Sequence, residues 1–429
     1  MTVSLLSVAF NHDPSSARAD AINLRHNGDL TGIQRLPEWR AGAGLGQRDS
    51  RAAYALAETA GNQITIEAQL SCDNPRTPVV DVRAVEPHPP TPPLAWLQQM
   101  FGFLVPAGPF QAWQLFLLWG ALARPRPGLL GSVEAREVRF GADGRSGPLP
   151  FALRDVRMWE RGVGVHAVNW RWEARESADG PWQPIATTHH TIYTILSLPT
   201  EPWMQQPFDG TNTQLPWTEV LDRACSWAQG SRTAHEAAAR ITRALYDLGP
   251  ELIQYDCPGG GGTHYTWFEP YAVFDCTAFL RRLEGGFGWG PYVNCIDCAS
   301  IVSTFANVLG ADLSQSGMGS GIGAPFRTNP IRALGSPRWR TPCDWGEFGY
   351  HEVAWTGACG SDDEVFDACL EVDGDMSPST APHVPRLPAN MRFGRAGEGG
   401  YRDRLAAPGP TGQSRCDPQP EMRQRRPVI

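Results

Sequence analysis

Two stretches of the chain concentrate side chains able to carry out nucleophilic chemistry. The first, PYVNCIDCASIVSTFANVLGADL (291–313), holds Cys295 and Cys298 at the mouth of an apolar run. The second, FGYHEVAWTGACGSDDEVFDACLEVDGD (348–375), holds His351 and Asp367. A thiol becomes a nucleophile when an imidazole takes its proton, and a carboxylate on the far ring nitrogen fixes that imidazole's tautomer. Cys295 as nucleophile, His351 as base and Asp367 as orienter satisfy this requirement.

Each of the three needs an element to hold it. In the first stretch, Cys298, Ile301, Val302, Phe305, Val308 and Leu309 repeat at helical spacing. Asn294 is a favourable N-cap, and Asp297 three residues later supplies the acidic half of a capping box. Gly310 closes the helix. Cys295 therefore falls in the first turn, where unpaired N–H groups and the helix dipole favour a thiolate. Cys298 lies one turn deeper on the apolar stripe and reads as core filler.

In the second stretch, His351, Val353 and Trp355 share one face of a strand. Asp367 and Cys369 alternate with Phe366, Ala368, Leu370 and Val372 on a strand that returns. A hairpin centred near Cys359 sets His351 directly opposite Asp367. Opposed side chains on one face come within reach of an imidazole–carboxylate hydrogen bond.

The surrounding chain divides into regions. Residues 1–200 read as β-rich: Ile64, Ile66 and Ala68 alternate with Thr65, Glu67 and Gln69, and Val168, Trp170, Trp172 and Ala174 alternate with polar partners. An Ig-like antiparallel β-sandwich is expected there, in a support or recognition role. The opening MTVSLLSVAFNHDP lacks a basic region and cleavage site and reads as a first strand. Inside this region, after a proline-rich run, residues 94–123 carry no charge. Pro106, Gly108 and Pro109 break the stretch and four glutamines interrupt it. It is expected to form a helical hairpin, buried or making a membrane or protein contact, and not a span. Residues 201–250 form a helical lead-in, with helices over 217–228 and 233–249. Residues 251–375 form the core. The run Gly259–Gly262 reads as a mobile loop and lacks the Gly-Lys-Ser/Thr of a phosphate-binding loop. Residues 376–429, rich in Pro, Gly and Arg, read as a tail wrapped on the domain or left in solvent and able to regulate it.

The motif NCIDCASIVSTFANVLGADL resembles the transglutaminase-like superfamily, in which the nucleophilic Cys opens a helix followed by x-D-x-A and an apolar run ending at Leu-Gly. Cys295-Ile296-Asp297-Cys298-Ala299 matches it, His351 in YHEVAW occupies the place of the family's His, and Asp367 in VFDA that of its Asp. The resemblance spans roughly 217–375. It departs from the pattern in Cys298, where an aromatic is common, and in a Gly- and Arg-rich insert between Leu313 and Gly349. It implies a multidomain α+β protein with a papain-like α+β core and amide chemistry through a thioester, with no cofactor. The backbone N–H of Cys295 is then a natural oxyanion donor, with Trp267, Trp289 and Tyr292 as candidates for a second. Water as acceptor gives a cysteine peptidase or amidase; an amine gives a transamidase.

Two other readings use the same residues. Cys295-x-x-Cys298 is a zinc half-motif that Cys343 and His351 could complete, and a binding-only relative would keep the fold without turnover. A thioredoxin-type motif lacks its βαβ setting. The formal net charge of -8 argues against nucleic acid as a partner and leaves a protein or peptide substrate. A reducing cytoplasm is the expected compartment, with the ten cysteines mostly free. All 37 cationic side chains are arginines. A lysine-free enzyme cannot become its own acyl acceptor through ε-amines.

Overall fold

The computed structural model describes residues 2–10, 21–26, 32–42, 50–57, 64–73, 79–86, 131–153, 158–268, 271–319, 325–340, 343, 347–375, 377–388, 391–408 and 416–429. The chain is mixed α+β, with more strand than helix and several sheets. The apolar segment 94–123 and its expected contacts lie outside the described residues. Among the described residues no helix is long and apolar enough to cross a membrane.

Alternating apolar residues build the N-terminal region as read. Along β1 (Thr65–Cys72) Ile66, Ala68 and Leu70 are buried and Thr65, Glu67 and Gln69 half-buried. It lies between strands Val3–Ala9 and Arg145–Ala152 in a four-stranded antiparallel sheet. A second sheet of five strands is built around β2 (Gly164–Arg175) and β3 (Gln183–Ile195), and its Val168, Trp170 and Trp172 meet Ile66, Leu70 and Phe151 in one core. The expectation of wholly antiparallel strands is corrected at one edge: Arg51–Ala55 runs parallel to β3, with Ala53 opposite Tyr193. The remaining faces of these two strands, through Ala53, Ala55, Tyr193 and Ile195, join the second core, which holds the helices.

Helices α1 (Thr218–Trp227) and α2 (Ala234–Tyr246) form where helical spacing put them. The Thr233 hydroxyl caps α2 by accepting from the N–H of Glu236 at 3.1 Å. Helix α3 (Cys276–Leu283), which the sequence reading missed, starts at Asp275, whose carboxylate accepts from Ala278 N at 2.8 Å. Helix α4 (Cys295–Asn307) is the centre of the molecule: every residue but Ile296 is buried. It is thus covered all round and not on one stripe. Its polar residues find partners inside. Ser303 donates to Ala299 O at 2.8 Å, and the Asn307 amide holds Glu201 O and Leu313 O at 2.7 and 2.9 Å. Gly310 closes the element at φ +87°, and a Cβ there would stand 2.1 Å from Ser197 Oγ, so only glycine fits.

Against α4 packs a five-stranded antiparallel sheet in the order Met391–Arg392, Glu364–Phe366, β5 (His351–Trp355), β4 (Ser314–Gly319), Asp417–Gln424. One expectation is corrected here. The supposed insert after Leu313 begins with β4, an entirely buried strand in the sheet's interior. Its sequence SQSGMG has little β-propensity; the neighbours demand small residues, since a Cβ at Gly317 would fall 2.3 Å from the Tyr350 ring. Of the two readings of 376–429, packed on the domain or left in solvent, the described residues take the first. Phe393, Tyr401 and Leu405 are core residues, 417–424 is an edge strand of the sheet, and Thr277 N donates to Ile429 O at 3.0 Å.

Candidate active site

Cys295 opens α4 as the first helical residue, and its side chain is 7% exposed. Asn294 caps the helix as expected: its Oδ1 accepts from the N–H groups of Ile296 and Asp297 at 3.0 and 3.1 Å, while Asp297 Oδ2 accepts from Asn294 N at 3.2 Å. The N–H of Cys295 itself has no acceptor within the helix. Asp297 does more than close the box. Its buried carboxylate also accepts from His264 N at 2.9 Å and Tyr265 N at 3.0 Å. Desolvation raises its pKa despite these donors.

The glycine run, largely exposed, is tied to the site by backbone hydrogen bonds. It wraps the buried carboxylate of Asp256, which accepts from Gly259 N at 2.7 Å and Gly262 N at 3.1 Å and lies 3.1 Å from His264 Nε2. A Cβ on Gly259 would meet Asp256 Oδ2 at 2.3 Å, which accounts for that glycine. The Asn294 amide donates to Gly261 O at 2.8 Å, so the loop braces the N-cap beside the thiol.

His351 opens β5 opposite Met318, fully buried, with the Phe348 ring parallel to it at 5.5 Å between centroids. Its Nε2 lies 2.9 Å from Asp367 Oδ2. The contact expected from the sequence is present, but not through the expected register. Ala354 faces Phe366 and Trp355 faces Val365, a hairpin shifted by two residues. Continued, that pairing would set His351 across from Cys369. Instead the strand stops at Phe366, and the continuous return strand expected over 366–372 breaks in two. The Asp367 side chain itself breaks it: Oδ1 accepts from the N–H groups of Cys369 and Leu370 at 2.7 and 3.2 Å, a local turn that competes with the ladder. Oδ2 is left pointing at His351.

With Nε2 committed to Asp367, the free ring nitrogen is Nδ1, which is buried and makes no conventional hydrogen bond. Cys295 is the thiol that interacts with this imidazole. Burial alone would pull the His351 pKa down. The charge and hydrogen bond of Asp367 outweigh it and, with Cys295 contributing, push it up to about 10. The three residues chosen from the sequence are therefore brought together, with the imidazole between the Asp367 carboxyl and the Cys295 sulfur. Because the folded pKa exceeds the ordinary 6.5, the stability this group contributes is fully present below pH 6.5 and lost as pH rises through about 10. Urea unfolding midpoints between pH 6.5 and 10 should fall in the wild type and fall less steeply in His351→Gln.

Cys298 is 1% exposed, and its thiol interacts with that of Cys369. The zinc reading loses its third ligand, since Cys343 is disulfide-bonded to Cys257. The other eight cysteines form no disulfide, in line with the reading of mostly unbridged thiols. Of the candidate second oxyanion donors, Trp289 is committed: its Nε1 donates to Asp275 Oδ2 at 2.7 Å. Trp267 packs edge-on against it at 5.4 Å. Tyr292 lies against the His264 ring.

The sequence reading missed three neighbours of the site. Tyr255 is buried, and its phenol interacts with Cys369, Cys295, Cys298 and Asp367. Tyr401 donates to Asp367 Oδ2 at 2.7 Å. Glu352, beside His351, pairs in the interior with Arg426. Neither Tyr401 nor Arg426 lies in a segment with a periodic signal. No protein-family model matches the chain, and no curated protein is significantly similar to it.

Proposed function

We propose that the chain is a thiol-dependent amide hydrolase, a cysteine peptidase or amidase of transglutaminase-like type, acting on a protein or peptide. The observation that carries this reading is the fully buried His351–Asp367 pair at 2.9 Å, with Cys295 at the capped mouth of α4 as the imidazole's other partner. The finer fold assignments, an Ig-like N-terminal sandwich and a papain-like core, belong to the same proposal.

The chemistry follows from these atoms. His351 Nδ1 takes the Cys295 proton, or already holds it in a preformed imidazolium–thiolate pair, and the sulfur attacks the amide carbonyl. The N–H of Cys295, at the positive end of α4, receives the developing oxyanion. The tetrahedral adduct collapses as His351 returns its proton to the departing amine, leaving an acyl group on Cys295 as a thioester. Water, with its proton drawn to His351, then releases the acid and regenerates the thiol. An amine in place of water would give transamidation by the same steps.

Incubation with a glutamine-bearing protein and a labelled amine, followed by intact-mass and peptide mapping, tests the proposal. Expected are a mass adduct on Cys295 and cleaved or deamidated products without label. Label in the products would establish the transamidase version. Product formation that is indifferent to Cys295→Ala would overturn both.

A further inference from the structure

From its bond to Asp367, we infer that Tyr401 is a positioning residue for the thiol chemistry, its phenol holding the carboxylate that aims His351 at Cys295. The inference rests on the reading of Cys295 as nucleophile. Asp367 is held by four donors. Oδ1 takes the N–H groups of Cys369 and Leu370, and Oδ2 takes both His351 Nε2 and the Tyr401 hydroxyl, at 2.9 and 2.7 Å. The two backbone bonds fix one oxygen to the local turn. The Tyr401 bond fixes the torsion about the carboxylate, so the other oxygen keeps a lone pair on the imidazole. It also takes up part of the charge that His351 would otherwise receive undivided.

Tyr401 is well placed for this. It is fully buried, on the short helix Tyr401–Leu405. The Asn329 amide fastens that helix by donating to Asp403 O, Arg404 O and Ala406 O at 3.1, 3.0 and 3.3 Å. The Phe393 ring packs against the phenol at 6.2 Å. Burial, and then the Asp367 charge, push the Tyr401 pKa well above its ordinary value, so the hydroxyl stays a donor across the working range. The other titratable groups facing the pair are the thiols of Cys295, Cys298, Cys369 and Cys416 and the phenol of Tyr255.

The test is the pH dependence of Cys295 alkylation by iodoacetamide, read by peptide mass, in wild type, Tyr401→Phe, Asp367→Ala and the double variant. Removing the hydroxyl gives His351 the whole carboxylate charge. The upper of the two ionisations governing the rate should rise by about half to one pH unit, a roughly 3- to 10-fold gain in proton affinity. In the Asp367→Ala background the same change should move nothing, whereas a merely structural role would act in both backgrounds alike. All rates are taken where near-ultraviolet circular dichroism matches wild type. If the phenylalanine protein melts early, Tyr401→Leu, which also lacks the hydroxyl, must shift the ionisation the same way. Coincident profiles for reactive wild type and Tyr401→Phe would overturn the role of Tyr401 alone. A wild-type Cys295 no more reactive than a free thiol at pH 7 would overturn the nucleophile assignment and this inference with it.

Discussion

Cys295→Ala should lower amide turnover by about 10⁴-fold or more while leaving the thermal transition close to that of wild type. The expected size follows from the division of labour at the site. Orientation by His351 and Asp367 and donation from the N–H of Cys295 have no covalent step to serve once the sulfur is gone. The stability expectation follows from the position. Alanine is a good helix former, the Asn294–Asp297 cap does not involve the thiol, and the side chain already sits at the edge of the core, 7% exposed. Cys298→Ser is the matched control. It alters a deeper, fully enclosed thiol on the same helix and should keep most of the activity. Turnover with a peptide amide and a melting curve for each variant make the comparison. Equal losses in both variants would point to damage at the head of α4 in place of lost chemistry.

The second large effect is expected at the opposite end of the chain. Arg426→Ala should destabilise the protein by about 3–5 kcal/mol, read from urea unfolding at pH 7. Arg426 and Glu352 are each 1% exposed, joined by two hydrogen bonds, of which Nη2 to Oε2 measures 3.0 Å. Arg426 Nη1 also reaches Ser300 Oγ of α4 at 3.1 Å. Truncation strands the Glu352 carboxylate in the interior with the Tyr350 hydroxyl as its remaining donor. Glu352 follows His351 on β5, so the damage lands on the strand that presents the base. The double change Arg426→Met with Glu352→Gln removes both charges and should recover much of the loss. A loss below about 1 kcal/mol for Arg426→Ala would mean that water reaches Glu352.

How far the sequence disclosed this arrangement depended on whether a signal was local. The head of α4 was legible because capping and helical spacing are matters of a few neighbouring residues: Asn294, Asp297 and the apolar positions that follow. The partnership of His351 with Asp367 was legible from hairpin geometry, although the hairpin is offset by two residues. The bond survives because the Asp367 side chain makes its own turn and reaches sideways. Strand β4 was not legible. SQSGMG earns its place through the bulk of Tyr350 and Trp355, whose indole donates to Ser316 O at 2.9 Å, and not through any preference of its own. The C-terminal region was legible only as far as two alternatives, wrapped on the domain or left in solvent, because what decides between them is distant: Arg426 is buried against Glu352, 74 positions away. Tyr401 sits among glycines with nothing nearby to mark it.

The bond between Cys257 and Cys343 makes a covalent ring out of the chain between them, 86 positions apart. The ring contains Cys295, α4 and β4; His351 and Asp367 stand outside it. Restricting so long a loop lowers the entropy of the unfolded chain by an amount worth about 4 kcal/mol. Cys257 is on the surface, where a reductant can reach it. Opening the ring changes none of the atoms that act on a substrate. A thiol reductant would therefore leave turnover intact in the cold and shorten the protein's life when heated, making endurance, and not catalysis, the property tied to the redox state of the surroundings.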